Sequence, residues 1–199
     1  MLKLVILISG SGSNLQSLID SVHKNGIAKI LRVISNKADA KGIQRAEAAE
    51  ISTSIIEHRD YSSKQDFEED IVKAIDAIEP DYILLAGFMR ILSNEFIAHY
   101  PDKIINIHPS ILPAFRGLNT HQRAIDAGVK QHGATVHLVI PELDSGPIIQ
   151  QISVDISIND DAHTLANKVL KQEHQLYPDV VKALADGRIT IRDGVVYTQ

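Results

Sequence analysis

The chain has 199 residues, enough for one compact domain or at most two small ones, and a domain of that size buries about 70% of its unfolded surface. It contains no cysteine, which excludes disulfide bonds, thiolate zinc sites and a nucleophilic cysteine. Its 20 Lys and Arg residues against 25 Asp and Glu residues give a formal net charge of -5, so no overall basic field attracts a nucleic acid, although a local anion site stays open.

The first apolar run of the chain is "LKLVILIS", residues 2–9. It is too short for a membrane span or for a signal-peptide core with its cleavage site, so we expect a cytoplasmic protein without a membrane partner. A near-continuous apolar run is typical of a strand that is buried on both faces of a sheet. We therefore predict that residues 2–9 form a central strand.

Short β-rich runs then alternate with helical patterns, which is typical of a mostly parallel sheet covered by helices. We predict an α/β fold of the Rossmann-like type, with helices on both faces of the sheet. The predicted strands are 2–9, 30–35, 52–57, 81–87, 103–108, 134–140 and 147–154. The predicted helices are 14–25, 42–50, one that opens at Ser62 and ends before Pro80, 94–100, 120–127 and 163–185, followed by a hairpin around Asp193 and Gly194.

Two of these helices begin with the pattern of a capping box, in which a Ser side chain and a Gln side chain bind each other's backbone N–H groups. Ser13 with Gln16 fits the first helix, and Gly26 follows it as a C-terminal cap. Ser62 with Gln65 fits the third helix. Four apolar residues on that helix recur at helical spacing, which predicts a core face: Phe67, Ile71, Ile75 and Ile78.

The turn "SGSGSN", residues 9–14, joins the predicted central strand to a helix. Ligands of such sheets bind beyond the carboxyl ends of the strands, and glycines with free N–H groups at a helix start favour a phosphate. The turn matches a dinucleotide fingerprint only in part, because Leu15 stands at the third glycine and no acidic residue closes the second strand. We therefore discount NAD; a turn that needs glycine only for its geometry remains the alternative.

Asn106 and His108 end the predicted strand 103–108. Positions i and i+2 of a strand point to the same face, so the two side chains project together. An amide beside an imidazole suits the stabilisation of an oxyanion, and the His can also transfer a proton. With no nucleophile elbow and no metal-ligand spacing, transfer between two bound substrates is the favoured chemistry. A structural, hydrogen-bonded His is the alternative.

Asp144 lies in the turn sequence "PELDSGP", residues 141–147. By itself it would be a solvated turn residue. If this turn folds back towards the strand 103–108, the carboxylate would favour the imidazolium form of His108 and raise the pKa of its ring. The stretch between the two is stiffened by Pro109 and Pro113.

Five segments, in this order and over nearly the whole chain, resemble the phosphoribosylglycinamide formyltransferases, folate-dependent enzymes of purine synthesis. The segments are "LISGSGSNLQSLID", "LAGFMRILS", "NIHPSILPAFRGLNTHQRAIDAG", "GATVHLVIPELDSGPIIQQ" and "QEHQLYP". The resemblance implies formyl transfer from 10-formyltetrahydrofolate to the amine of phosphoribosylglycinamide, with no metal and no covalent intermediate. It implies one formyltransferase domain over 1–199, with a nucleotide-binding half at about 1–100 and a folate-binding, catalytic half at about 101–199, as a monomer or homodimer.

The resemblance also assigns residues. It implies that Asn106, His108 and Asp144 are catalytic. It implies that the substrate phosphoribosylglycinamide is bound by Gly12, Ser13, Asn14 and Glu173, the last of which would otherwise pass for an exposed helix residue. It implies that the folate is bound by Lys64, Met89, Arg90, Ile91, Leu92, Asn106, Ile140, Pro141, Glu142, Leu143 and Asp144.

Two positions depart from the family pattern. Lys64 stands where many members carry Arg, which keeps the charge but loses the bidentate fork. Arg116 replaces the Pro that often follows "PAF", which predicts a less stiff and more basic loop. Four further histidines are interpreted as structural or surface residues: His121, His132, His137 and His163. For His121 and His137 a position near the cleft stays open as the alternative.

Related readings share the "NIH" strand and the Asp turn. The catalytic part of a methionyl-tRNA formyltransferase usually comes with a C-terminal nucleic-acid-binding domain, and a formyltetrahydrofolate hydrolase with an N-terminal regulatory domain; we expect neither in 199 residues. A flavodoxin-like binding module whose turn holds a phosphate is the alternative from a different class. That reading leaves Asn106, His108 and Asp144 without a role.

Overall fold

Seven strands form one sheet in the computed structural model, which describes residues Met1–Gln199. The strands are β1 (Leu2–Ile8), β2 (Ala28–Ser35), β3 (Ser52–Ile55), β4 (Tyr82–Leu85), β5 (Ile104–His108), β6 (Gln131–Leu138) and β7 (Ile148–Asp155). Their order is β3-β2-β1-β4-β5-β6-β7, in which β1 to β5 pair in parallel, whereas the β5–β6 and β6–β7 pairs are antiparallel. The predicted α/β fold with a mostly parallel sheet is confirmed.

Six α-helices connect and cover the strands, and a short hairpin follows the last of them. The helices are α1 (Ser13–Leu18), α2 (Lys41–Ala48), α3 (Lys64–Asp76), α4 (Asn94–His99), α5 (Thr120–Asp126) and α6 (Ala162–Ala185). The hairpin consists of β8 (Ile189–Arg192) and β9 (Val195–Thr198), which confirms the predicted turn around Asp193 and Gly194. None of the helices combines the length and the apolar composition that crossing a bilayer requires.

The strand β1 is central and buried on both faces, as its apolar run predicts. Leu4, Ile6 and Ile8 point into the larger core, which α1, α2 and α6 cover. Val5 and Leu7 point into the smaller core under α3 and α4. Because both faces of β1 need apolar side chains, the strand shows no polar alternation.

The helix α6 crosses the larger core and contacts the seam between two parallel strands. It begins with a capping box, in which Asp161 accepts from the Thr164 N–H and the Thr164 hydroxyl accepts from the Asp161 N–H. The fully buried Tyr177 hydroxyl lies 2.9 Å from the Ile105 carbonyl of β5 and 3.2 Å from the Leu85 carbonyl of β4. One hydroxyl proton is therefore shared between two carbonyl acceptors on neighbouring strands.

The capping box predicted at Ser13 is wrong. Gly12 is the residue before α1, with φ 67°, and no side chain caps the helix. A residue in this left-handed conformation does not present its side chain as an N-cap does, so the turn takes a glycine instead. The Gln16 side chain donates to Asp20 rather than reaching back. The α-helix ends at Leu18 and continues as one π-helical turn, Ile19–His23.

Other predicted boundaries are shifted by a few residues. The cap of α3 is Ser63 rather than Ser62, because the Ser63 hydroxyl accepts from the Asp66 N–H at 3.1 Å. The helix ends at Asp76, so Ile78 lies beyond the helix and packs against the smaller core from there. The strand β6 starts three residues earlier than predicted and ends at Leu138, because its pairing with β7 extends to Gln131.

Candidate active site

Asn106 and His108 lie on β5, and the turn that carries Asp144 folds back to them. The Asp144 Oδ2 atom is 3.4 Å from His108 Nδ1, and the two side chains are 8% and 7% exposed. The same oxygen accepts from the Gly117 N–H at 2.8 Å, which fixes the carboxylate against the loop that follows β5. The turn 141–147 therefore folds back towards β5, which is the condition under which Asp144 is predicted to act on His108.

The second ring nitrogen of His108 faces the loop after β5. His108 Nε2 is 3.0 Å from the Phe115 carbonyl, and because a carbonyl only accepts, Nε2 carries a proton in this contact. Thr135 on β6 holds the loop, since its hydroxyl donates to the Ser110 carbonyl at 2.7 Å and accepts from the Leu112 N–H at 3.0 Å. The imidazole is thus oriented from two sides.

His137 joins the site, a position that the sequence leaves open as the alternative to a structural or surface one. Its Nδ1–H donates to the Leu138 carbonyl at 3.0 Å, so Nε2 is left to accept from the Asn106 amide at 3.2 Å. Burial lowers the pKa of His137, against the opposing effects of the Leu138 bond and of the nearby Asp144 carboxylate. A neutral His137 fixes which way the Asn106 amide points. The cross-strand pairing of Asn106 with His137 is the signal that would have revealed it.

The turn after β1 is shaped by close backbone packing. A Cβ on Gly12 would lie 2.5 Å from the Gly42 Cα of α2, and a Cβ on Gly42 would clash with the Ile8 side chain, so neither glycine has room for a side chain. The Gly42 N–H donates to the Gly10 carbonyl at 3.1 Å, and Arg45 Nε donates to the Ser11 carbonyl at 2.9 Å. The helix that follows starts with N–H groups that have no partner within the helix. This arrangement agrees with the predicted anion-binding turn.

Glu173 lies at this turn although it is 159 residues away from Asn14 in sequence. Its Oε2 accepts from Asn14 Nδ2 at 2.7 Å, and both side chains are buried. Burial raises the pKa of Glu173, and the bond from Asn14 partly opposes that effect. Asn14 Oδ1 is buried without a partner, so the amide keeps one free acceptor. The structure thus brings together Asn14 and Glu173, two residues assigned to the same substrate.

The two segments that the resemblance assigns to the folate, 89–92 and 140–144, both carry exposed apolar side chains. Met89 and Ile91, just past β4, are 65% and 66% exposed, whereas Leu92 is buried in the smaller core. Leu143 is exposed in the loop that contains Asp144. Because β4 and β5 are parallel neighbours, residues past β4 lie at the same edge of the sheet as the end of β5.

The two positions that depart from the family pattern have partners. Lys64 Nζ lies 3.7 Å from Glu68 Oε1, which in turn accepts from the Ser93 N–H at 2.9 Å. Lys64 is therefore linked to the end of the segment 89–92. Arg116 Nη1 lies 3.0 Å from Glu142 Oε1, in an exposed pair that joins the loop after β5 to the loop of Asp144.

Two further histidines pack beneath the loop after β5. The rings of His121 and His132 are perpendicular with centroids 5.2 Å apart, and the Phe115 ring also packs edge-on against His132 with centroids 5.8 Å apart. Burial lowers the pKa of His132 to about 4, and the neighbouring His121 contributes to this shift. Burial also lowers the pKa of His121. His132 is a buried neutral residue, as the structural interpretation predicts, whereas His163 is exposed.

The fold and this site together define an α/β enzyme class, in which a doubly wound sheet carries a polar site beyond its parallel strands. The formyl transferase family matches residues 2–181. The chain belongs to the formyl transferase family, which confirms the resemblance read from its segments.

Relatives and solved structures agree with this membership. The chain is 42% identical over 197 residues to the phosphoribosylglycinamide formyltransferase of Escherichia coli K12, covering 98% of this chain and 93% of that protein. It is 42% identical over 190 residues to the human trifunctional purine biosynthetic protein adenosine-3, covering 95% of this chain and 19% of that protein. The phosphoribosylglycinamide formyltransferase structure from Coxiella burnetii superposes with a TM-score of 0.94 at 46% identity, covering 99% and 93% of the two chains.

Proposed function

We propose that this chain transfers the formyl group of 10-formyltetrahydrofolate to the amine of N1-(5-phosphoribosyl)glycinamide, a step of de novo purine (IMP) biosynthesis. The observation that carries the proposal is the convergence of Asn106, His108 and Asp144 at the end of β5, within a chain of the formyl transferase family. The proposal requires only two small-molecule substrates. It places the protein in the cytoplasm, as a monomer or homodimer.

The acceptor substrate binds at the turn after β1. Its phosphate meets the N–H groups of Gly12, Ser13 and Asn14 at the start of α1, where the positive end of the helix favours an anion. The buried carboxylate of Glu173 accepts a ribose hydroxyl, and the free Asn14 Oδ1 offers a second acceptor. The nucleotide-binding role thus falls mainly on residues 1–100, with Glu173 contributed by α6.

The formyl donor binds between the two exposed apolar segments. The pterin lies against Met89, Arg90, Ile91 and Leu92 on one side and against the loop 140–144 on the other. Lys64 lies near the anionic tail of the folate, where it is shared with Glu68. Residues 101–199 shape the folate cleft and supply the catalytic side chains, while Lys64 and the segment 89–92 reach in from the first half.

Transfer begins when the substrate amine attacks the formyl carbon and the formyl oxygen becomes an oxyanion. One Asn106 N–H is bound to His137, so the second N–H is available to the oxyanion. The His108 Nε2–H is the second donor, after it exchanges its bond to the Phe115 carbonyl for one to the oxyanion. The Asp144 carboxylate stabilises positive charge on the His108 ring.

The tetrahedral intermediate then collapses. The bond between the formyl carbon and N10 of the folate breaks, N10 takes up a proton, and the carbonyl of the new formamide forms. The attacking amine loses one proton, which leaves through water because the basic Nε2 of the neutral His137 is occupied by the Asn106 amide. The products are the N-formyl glycinamide and tetrahydrofolate, so atoms and charge balance.

A spectrophotometric assay of donor loss tests the proposal. The chain is mixed with a 10-formylfolate donor, with and without phosphoribosylglycinamide. We expect donor loss only when the amine is present. Equal loss without the amine would identify a hydrolase instead, and stoichiometric binding of donor with no loss in either mixture would identify a binding module.

A further inference from the structure

Ser9 directly follows the central strand β1, and its side chain contacts a neighbour on each side. Its hydroxyl donates to Asn36 Oδ1 at 2.6 Å and accepts from the Met89 N–H at 2.7 Å. Because the amide oxygen of Asn36 only accepts, the single hydroxyl proton is committed to Asn36, and the lone pairs of Ser9 Oγ face Met89. Ser9 is 4% exposed and Asn36 is 1% exposed, so both bonds are shielded from water.

The bond to Met89 begins where the β-ladder ends. The pairing of β1 with β4 stops at Leu7 and Leu85, after which the Ser9 N–H donates to the Gly87 carbonyl at 3.1 Å. Gly87 has φ 75°, a left-handed conformation that turns the chain out of the sheet. The Met89 amide therefore has no ladder partner, and the Ser9 hydroxyl takes that place. The exposed segment that starts at Met89 is anchored to the sheet here.

Asn36 is itself fixed by its backbone. Its N–H donates to the Ile8 carbonyl at 3.4 Å, and its carbonyl accepts from His58 Nδ1 at 2.9 Å. Since this ring nitrogen carries a proton, its 3.4 Å approach to Asn36 Nδ2 is not a hydrogen bond. The side chain of Asn36 thus stands on an anchored backbone and orients the Ser9 hydroxyl.

Ser9 is also the first residue of the turn 9–14, at which the acceptor phosphate is proposed to bind. One buried hydroxyl thus stands between the two segments that are proposed to bind the two substrates. The phosphate turn depends on backbone packing against Gly42, whereas the start of the segment 89–92 depends on this hydroxyl. Removing the hydroxyl therefore acts on the donor side.

We propose that Ser9, oriented by Asn36, is a positioning residue for the formyl donor: its hydroxyl holds the Met89 amide and thereby sets the segment 89–92 against which the pterin binds. The inference rests on the proposed function. A buried neutral hydrogen bond of this kind is worth about a 3- to 10-fold change in an equilibrium constant. The structure therefore predicts a weaker donor site with an unchanged chemical step.

The test compares Ser9→Ala and Ser9→Cys with a matched control, Ser35→Ala. Ser35 is a fully buried serine at the end of the neighbouring β2, and its hydroxyl also makes two hydrogen bonds, in this case both to the backbone of Lys37. Cys keeps the approximate size of Ser but is a weak donor and acceptor. Steady-state assays measure kcat and the KM of each substrate, and calorimetric titration with tetrahydrofolate measures donor-site binding without chemistry.

We expect the donor KM and the tetrahydrofolate Kd to rise about 3- to 10-fold in both Ser9 variants, with kcat and the acceptor KM within about 2-fold of the wild type. Ser35→Ala should leave all four values within about 2-fold of the wild type. If Ser9→Ala does not fold, Ser9→Cys alone carries the comparison.

Two outcomes overturn the role of Ser9 while leaving the proposed function intact: wild-type donor binding in the Ser9 variants, or an equal loss of donor binding in Ser35→Ala. A wild-type chain that consumes no donor overturns the proposed function and this inference together.

Discussion

The turn after β1 and the site around β5 are built from different parts of the chain. The turn is a backbone structure, in which Gly12 packs against Gly42 and the main-chain N–H groups at the start of α1 are proposed to bind the acceptor phosphate. The site at β5 is a side-chain network, in which His137 orients Asn106 and Asp144 orients His108. The first region should therefore be sensitive to added volume, and the second to the loss of single polar atoms.

The largest effect is expected from Asn106→Ala, which removes a side chain proposed to donate to the oxyanion. Removing one such donor typically lowers kcat about 100- to 1000-fold. Steady-state assays should show this loss while circular dichroism and thermal unfolding stay close to the wild type. Asn159→Ala, in an exposed turn, is the control and should keep full turnover. Near-normal turnover in Asn106→Ala would show that the site at β5 does not carry the reaction.

Acid should destabilise the region beneath the loop after β5. The pKa of His132 is lowered by burial from 6.5 to about 4, so the unfolded chain binds a proton more readily than the folded chain. Stability from this residue is therefore fully present above pH 6.5 and is lost as the pH falls towards about 4. The loss should reach about 3 kcal/mol.

Urea unfolding of the wild type and of His132→Leu, each measured at about pH 7 and about pH 4, isolates this contribution. On acidification, the free energy of unfolding of the wild type should fall by about 3 kcal/mol more than that of the variant. Equal losses would mean that His132 is not the residue that couples folding to acid.

Gly12→Ala tests the backbone region through volume. The new Cβ would meet Gly42, in addition to the strain of a left-handed φ. Gly26→Ala is a matched control, because Gly26 has the same φ of 67° and nothing within 4 Å of its Cβ position. We expect Gly12→Ala to cost about 2 kcal/mol more than the control, measured by urea unfolding. It should also raise the acceptor KM; an equal cost in the two variants would contradict the importance of the Gly12–Gly42 contact.

The smallest effect is expected from the exposed pair of Arg116 with Glu142. Such surface pairs contribute about 0.2–1 kcal/mol and weaken with salt. Arg116→Gln should therefore change the donor KM by less than about 5-fold at low salt and by less still at high salt. A double-mutant cycle with Glu142→Gln measures the coupling, and a much larger change would assign Arg116 a direct contact with the donor.

Local patterns predict what is local in this structure. The apolar run of β1, the alternation of strands and helices, and the i, i+2 spacing of Asn106 and His108 all follow from periodicity. From the residues alone, Asp144 could be assigned a role only on the condition that its turn folds back, because no local pattern contains that information. The contact of His137 with Asn106 could not be predicted for the same reason: it depends on the antiparallel pairing of β5 with β6, which links residues 31 positions apart.

Local chemistry was also overruled by packing. Ser13 and Gln16 have the residue types of a capping box, but the close approach of α2 to Gly12 imposes a left-handed residue before the helix. Glu173 has the spacing of an exposed helix residue, yet the packing of α6 against α1 buries it beside Asn14. In both cases a contact distant in sequence decides the outcome.

The hydrogen bonds of the Tyr177 hydroxyl bear on the size of the acceptor substrate that the site can take. Tyr177 and Glu173 are four residues apart on α6, so they lie on the same helix face about one turn, or about 6 Å, apart along the axis. Tyr177 is fastened to the backbone immediately before Asn106. One helical turn therefore fixes the distance between the Glu173 carboxylate, which is proposed to contact the ribose, and the strand β5, which is proposed to bind the oxyanion. If the amine of an acceptor substrate were nearer to its sugar or farther from it, the amine and the ribose could not both reach their proposed sites.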